Sequence, residues 1–287
     1  MEQLIASLAD GLLLGFVYGL AAMGLTLIFG VMDVINLAHG PIIALGMFAM
    51  FFLSGAVGIG LNPYLALVVI AILGLLFGFC IYFIAVHRVL NAPHLSSLLA
   101  TFSVNMMIIG IGTAVFTTTP RNMDFSIGSI SLGPVTLLGT RLVAALIAVM
   151  VAALLYLFLY RTQPGKAIRA VSNNRSAAEL MGIPSTQTLA LSFGIGSMLA
   201  ALAGGLIATF FSFTILSGGV YELKSFVIVV LGGLGNPTGA LLGGLILGGL
   251  EGIVPVFMPV SWVPAIEFVL FVVILMVRPT GLLRGGR

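Results

Sequence analysis

The chain consists of long apolar runs separated by short polar interruptions, and this alternation is its dominant pattern. Most runs approach the ~20 residues that a helix needs to cross a ~30 Å hydrocarbon core, but run 225–235 is too short to cross as a straight helix. The pattern predicts an all-α, polytopic transmembrane helix bundle of about eight to nine membrane segments with broken helices, forming a single domain over residues 1–287. The runs cover residues 11–30, 41–57, 64–86, 95–117, 142–160, 188–213, 225–235, 238–258 and 262–277.

Composition agrees with a membrane protein and excludes an ordinary soluble domain. Hydrophobic residues make up 60% of the chain and charged residues only 7%, whereas soluble domains carry about 25% charged residues. The formal net charge of +3 therefore does not indicate nucleic acid, and the lipid bilayer is the expected environment. The single cysteine cannot form an intrachain disulfide.

The basic residues predict an orientation in the membrane. Eight of the 11 lie in the 87–94 loop, the 161–187 loop and the C-terminal tail. Because cytoplasmic loops are enriched in Lys and Arg, these regions are expected on the cytoplasmic side of the membrane. The N-terminus and the other three basic residues are then expected on the external side. These three are Arg121, Arg141 and Lys224. The first residues lack a basic n-region, so no cleaved signal peptide is expected.

Two polar breaks interrupt the apolar pattern, one in each half of the chain. The first is "MDVINLAHGPIIALG", residues 32–46, and the second is "GGLGNPTG", residues 232–239. Glycine permits turns and proline cannot donate an interior helix bond. Irregular backbone at membrane depth is stable only when it is buried in protein or lines a wet cavity, and paired broken helices are typical of transporters. The two breaks are predicted to border a translocation path or, alternatively, to serve only in packing as broken-helix elements. Their residues are Asn36, His39, Gly40, Pro41, Gly235, Asn236 and Pro237.

Glycine recurs at four-residue intervals, which lets helix backbones approach closely in lipid. This spacing predicts a tightly packed bundle and leaves a dimer open. The glycines concerned are Gly11, Gly15 and Gly19, then Gly74 and Gly78, then Gly235, Gly239 and Gly243, and finally Gly244, Gly248 and Gly252.

Motifs for catalysis and metal binding are absent from the sequence. A phosphate-binding loop needs Gly-Lys-Ser/Thr, and neither Lys166 nor Lys224 stands in that context. There is no HExxH motif, and the histidines have no metal-ligand spacing. Glu251 and Glu267 lie in separate late runs and could pair. An intramembrane acid is a candidate functional residue, so a pore role and a structural role are both open for them.

The stretch "SNNRSAAELMGIP", residues 172–184, is polar, basic and capped. Asn174 suits the N-cap of a short helix, and Gly182 suits a left-handed C-terminal stop. Such a helix is too short to persist alone in water, so it is expected to dock on a partner protein, with Ala177 and Ala178 leaving an open surface. The alternative is a solvated loop with an incidental helix.

The same stretch carries a resemblance to a known family. "SAAELMG" resembles the coupling-loop pattern of bacterial ABC importer permeases, Glu-Ala-Ala-x-x-x-Gly, although Ser176 replaces the usual Glu. Three segments resemble segments of the branched-chain amino acid permeases of the LivH type, and they follow one another along the chain in that family's order. They are residues 24–40, 165–183 and 230–251. That family also includes permeases for urea, short amides and other amino acids.

The resemblance implies the permease subunit of an ABC importer for branched-chain or related amino acids, located in a bacterial inner membrane and without enzymatic activity. It implies four kinds of partner: a second homologous (LivM-like) permease or a second copy, two ATP-binding cassette subunits, a periplasmic substrate-binding protein and the bilayer. This chain would bind no cofactor, and ATP would be used by the partner subunits. A stand-alone channel or secondary carrier for a small neutral solute such as urea or amides is the alternative. The residues expected to couple to the ATPase are Arg169, Arg175, Ser176, Ala177, Ala178, Glu179 and Gly182.

Overall fold

The computed structural model describes residues 2–55, 58–90, 92–132, 135–278 and 281. Within them the chain forms helices and one small antiparallel hairpin. A π-helical turn, Tyr82–Val86, continues α3, and a 3-10 turn, Val260–Trp262, precedes α11. The elements are α1 Glu2–Met32, α2 His39–Ser54, α3 Pro63–Ile81, α4 His94–Phe116, β1 Ser129–Leu132, β2 Val135–Leu138, α5 Gly139–Arg161, α6 Gln163–Asn173, α7 Arg175–Leu180, α8 Ser185–Ala208, α9 Ser217–Gly232, α10 Pro237–Phe257 and α11 Val263–Val277.

Seven of these helices are long and apolar enough to cross a membrane. The shorter helices α2 and α9, with 16 residues each, extend about 24 Å at 1.5 Å per residue. Of these two, α2 is a shorter apolar helix within the described part of the chain, and with the seven long helices it is compatible with the predicted eight to nine segments. The predicted all-α, polytopic bundle with broken helices is therefore confirmed.

The glycines that recur at four-residue intervals lie where helices pack against one another, as predicted. α1 meets α10 through a glycine seam: a Cβ on Gly248 would lie 2.3 Å from the Gly11 carbonyl oxygen, and a Cβ on Gly15 would lie 2.6 Å from that of Gly244. At Gly78 of α3, a Cβ would lie 2.6 Å from the Ser197 side chain of α8. These contacts are within one chain and bring helix backbones into direct contact.

Helix α9 differs from the prediction because it begins at Ser217 rather than near residue 225. Its first turns contain Glu222 and Lys224, and the sequence predicts Lys224 in an external loop. The prediction that Lys224 lies in a loop is wrong, since it belongs to α9 and its side chain, 10% exposed, lies between two carboxylates. Charge neutralisation by partners distant in sequence lets this stretch enter the bundle.

The bundle has two chemically different ends. The hairpin end carries β1 and β2, the backbone pairing of Arg121 with Phe213, and an ion pair between Arg141 and Asp10. The basic end carries α6, α7 and the C-terminus of α1, where the Ser172 hydroxyl donates to the Gly30 carbonyl. The C-terminal tail that entered the orientation prediction lies, apart from residues 278 and 281, outside the described residues.

Candidate functional site

The segment between α5 and α8 is built by local caps. The Thr162 hydroxyl accepts a bond from the Gly165 N–H (3.1 Å) at the start of α6. The Asn174 side chain accepts from the Ala177 N–H (2.9 Å) at the start of α7. Gly182 has φ +83° and ends α7 in the left-handed region that favours glycine. The predicted short helix and both of its stops are confirmed.

Glu179 fixes α7 to the rest of the chain. It pairs with Arg175 one turn earlier (Nε to Oε1, 3.1 Å) and accepts a hydrogen bond from the Ser185 hydroxyl at the start of α8. The Ser185 bond, together with Arg175, holds the pKa of the Glu179 carboxyl below its usual value. The Arg175 pair lies within α7, and the Ser185 bond joins α7 to the start of α8.

The exposed surface of α7 is only in part the one that the sequence predicted. Ala178 is 5% exposed and packs inside the chain, so the expectation that it leaves an open surface is wrong, whereas Ala177 is exposed. The large exposed apolar side chains are Leu180, at 90%, and Met181, at 83%. Their signal in the sequence was two consecutive apolar residues directly before the terminating glycine.

The first break folds residues 33–38 back from the end of α1. Asp33 has φ +52°, and α2 starts beside the middle of α1, where His39 Nε2 lies 3.0 Å from the Ala21 carbonyl oxygen. Helix α4 holds the loop from its other side. Thr101 donates to the Ile35 carbonyl (3.1 Å), and Asn105 donates to the Leu37 carbonyl (2.7 Å).

Several polar atoms around this break are buried without a hydrogen-bond partner in the described part of the chain. They are Asn36 Nδ2, His39 Nδ1, Asn105 Oδ1 and Glu222 Oε1. Glu222 lies against the start of α2, because a Cβ on Gly40 would be 2.6 Å from its Oε2. Pro41 stands in the first turn of α2, where its missing N–H costs no helix bond. Buried atoms of this kind are available to a polar solute or to water.

The second break separates α9 from α10 at the basic end. Gly233 and Gly235 have φ values of +92° and +81°. The Gly235 N–H donates to Thr26 Oγ1 on α1 (3.0 Å), and the Asn236 side chain accepts from the Gly239 N–H (3.1 Å) to cap α10 at Pro237. The predicted turn is confirmed, and α1 packs directly against it.

A groove of about 700 Å³ runs along the bundle between α1, α5 and α10 at this end. Gly235, Asn236 and Pro237 line it together with Arg169, but no residue of the first break does so. The structure thus places the two predicted groups of path residues in different surroundings. It also brings Arg169 of the basic segment next to the second break.

Three charged side chains meet inside the bundle. Lys224 Nζ lies 2.7 Å from Glu251 Oε1 and 3.4 Å from Glu267 Oε1, and it stands 4.9 Å from the centre of the Tyr18 ring. The cluster joins α9, α10, α11 and α1. Glu251 and Glu267, which the sequence suggested could pair, are brought together by Lys224, whose ammonium group contacts both carboxylates. Sequence reasoning missed Lys224 because it is 27 and 43 residues away from its partners.

Seven long apolar helices and one shorter apolar helix, with two broken regions and a capped helix at the basic end, have the architecture of a multi-pass membrane protein. Residues 7–277 match the family described as "Branched-chain amino acid transport system / permease component". The chain belongs to this family, and the membership predicted from its three motifs is confirmed.

Named relatives extend over nearly the whole chain. It is 28% identical to the high-affinity branched-chain amino acid transport system permease protein LivH of Escherichia coli K12, covering 96% of this chain and 93% of LivH. It is 29% identical to the corresponding BraD protein of Pseudomonas aeruginosa, with 97% and 95% covered. The fructose import permease protein FruG of Bifidobacterium longum is 26% identical, with 88% and 76% covered. No solved structure matches the chain.

Proposed function

We propose that this chain is the membrane-spanning permease subunit of an ABC importer for branched-chain or related amino acids. It works with a second permease or a second copy, two ATP-binding cassette subunits and a periplasmic binding protein. The observation that carries this proposal is the exposed apolar pair Leu180 and Met181 on a capped helix at the basic end. Two such side chains on a water-facing segment fit burial in a pocket of a partner protein.

ATP hydrolysis then takes place in the partner subunits, and α7 carries the motion. Leu180 and Met181 contact the ATP-binding subunit, while Arg175, Ser176, Ala177 and Gly182 keep the helix in shape. Glu179 links α7 to α8 through Ser185, and Arg169 links α6 to α5 through the Leu159 carbonyl (3.1 Å). A displacement of α7 therefore moves two membrane helices together.

Replacing both Leu180 and Met181 with serine is expected to abolish capture of the ATP-binding subunits and to lower uptake at least ~10-fold, since loss of a central apolar contact costs about 2 kcal/mol or more. The protein itself should fold normally, because both side chains are exposed. The measurement is co-purification of the ATP-binding subunits together with uptake of labelled leucine. Purified alone, this chain is expected to show no ATPase activity.

The matched control changes two exposed apolar residues at the opposite end, Val260 and Trp262, which are 68% and 56% exposed. Serine at these positions should leave ATPase capture intact. A Leu180 and Met181 double variant that bound its ATP-binding subunits as well as the control would disprove the coupling assignment and favour a stand-alone carrier.

The first break is proposed to border the translocation path. A zwitterionic amino acid needs both donors and acceptors, and Asn36, His39 and Asn105 offer buried polar atoms of both kinds at the interrupted backbone. The path role of Gly235, Asn236 and Pro237 stays a prediction. Glu251 and Glu267 hold the helices together through Lys224 in this proposal.

The proposed location is a bacterial inner membrane, with the basic end in the cytoplasm. In a Cys80→Ala background, Ser176→Cys should resist an impermeant thiol reagent in intact cells, and Asp124→Cys should react. Both positions are exposed, so accessibility in the folded chain does not separate them. Labelling of the Ser176→Cys variant from outside the cell would reverse the orientation.

A further inference from the structure

The groove between α1, α5 and α10 has the polarity of a lipid molecule. Its walls are mostly apolar, with Leu27, Val149, Ala153, Leu241 and Leu242 among them. Its polar residues gather at one end, where the chain places Arg169, Ser172, Asn173 and the start of α10. A long apolar wall with a single cationic end complements an acyl chain joined to an anionic headgroup. We propose that the groove binds one anionic phospholipid.

Arg169 is the residue that selects the headgroup. It has no ion-pair partner among the described residues. Its Nε–H donates to the Leu159 carbonyl (3.1 Å), and its guanidinium lies 4.3 Å from the centre of the Tyr160 ring. An arginine has five N–H donors in a planar fork that suits phosphate oxygens. The two contacts hold this fork at the mouth of the groove.

The sides of the groove favour the boundary between lipid and water. Tyr156 and Tyr160 are stacked with ring centres 4.4 Å apart, and they are 47% and 44% exposed. Tyrosine is enriched where headgroups meet the hydrocarbon core. Leu242, on the opposite wall, is 47% exposed. The groove is therefore open sideways, which suits a lipid entering from the bilayer.

The groove, at about 700 Å³, has room for one acyl chain of the proposed phospholipid. An acyl chain of about sixteen carbons, each taking roughly the ~30 Å³ of a water molecule, needs ~500 Å³. Basic pockets between helices on the cytoplasmic side are known as sites for anionic headgroups.

The test uses the full-length chain in vesicles of phosphatidylcholine with a minority of phosphatidylglycerol, one lipid being brominated at a time. A Tyr156→Trp reporter in a Trp262→Phe background places one tryptophan in the groove. Brominated phosphatidylglycerol is expected to quench it about five-fold more strongly per lipid than brominated phosphatidylcholine, which corresponds to ~1 kcal/mol for one basic residue near the surface. The assay needs no ATP-binding subunit, so its outcome is independent of the proposed transport function.

Arg169→Gln should remove the preference, while Arg169→Lys should keep it because the charge remains. Arg161→Gln is the matched control, since Arg161 is exposed at the end of α5 and does not line the groove. If Arg169→Gln does not fold, two other variants test the proposal. Arg169→Lys should keep the preference for phosphatidylglycerol, and Ala153→Phe, which fills the groove, should lower quenching by both lipids. Equal quenching by the two lipids at wild-type Arg169 overturns the proposal. Absence of quenching also overturns the proposal, since it means that protein covers the groove. Displacement of the brominated lipid by inorganic phosphate or free leucine overturns it as well.

Discussion

Replacing Lys224 with methionine is expected to lower the free energy of unfolding by about 3–5 kcal/mol, because removal of one member of a buried ion pair leaves an uncompensated charge. Here two carboxylates would lose their partner. The Glu251 and Glu267 side chains are only 22% and 6% exposed, so water cannot replace the ammonium group. The expected result is low yield and early thermal unfolding of the purified chain, measured by size-exclusion chromatography after heating.

Two further variants separate charge from size in this experiment. Lys166→Met removes the other lysine, which is exposed on α6, and should leave the melting profile unchanged. Adding Glu251→Gln and Glu267→Gln to Lys224→Met should restore most of the lost stability, since no buried charge is then unpaired. A Lys224→Met variant that melted like the Lys166→Met control would show that the cluster does not hold α9, α10 and α11 together.

Replacing Gly248 with leucine is expected to prevent the bundle from assembling. A Cβ at Gly248 would lie 2.3 Å from the Gly11 carbonyl oxygen and 2.4 Å from Gly15 Cα. Both are backbone atoms, so a rotamer change cannot relieve the clash. Even alanine should cost at least about 1–3 kcal/mol, the usual range for overpacking. The measurement is the fraction of protein that elutes as a monodisperse peak.

Gly110 provides the comparison for the Gly248 prediction. It lies in the membrane helix α4, and a Cβ there would meet nothing within 4 Å. Gly110→Leu should therefore leave the elution profile unchanged. Similar losses for Gly110→Leu and Gly248→Leu would mean that leucine disturbs membrane insertion in general, and that the seam between α1 and α10 has no special role.

Local chemistry explains which parts of the fold and the site were predictable. The caps at Asn174 and Gly182 and the turn at Gly235 depend on neighbouring backbone, so residue type and spacing were enough. The burial of Ala178 and the exposure of Leu180 and Met181 could not be predicted in this way. Which side of a two-turn helix is covered depends on α6 and α8, whose positions the local sequence does not state.

The sequence by itself determined the class of protein, the range of about eight to nine membrane segments, the positions of the breaks and the family. These follow from hydrophobic length, from glycine and proline, and from motifs contained in short stretches. Only the tertiary structure decided that Lys224 is buried between two carboxylates, that the two breaks have different surroundings and that Arg169 lines the groove between α1, α5 and α10. Each of these depends on contacts between residues far apart in the chain. Such contacts are selected by packing and by charge neutralisation in a medium without water, and they leave no periodic signal in the sequence.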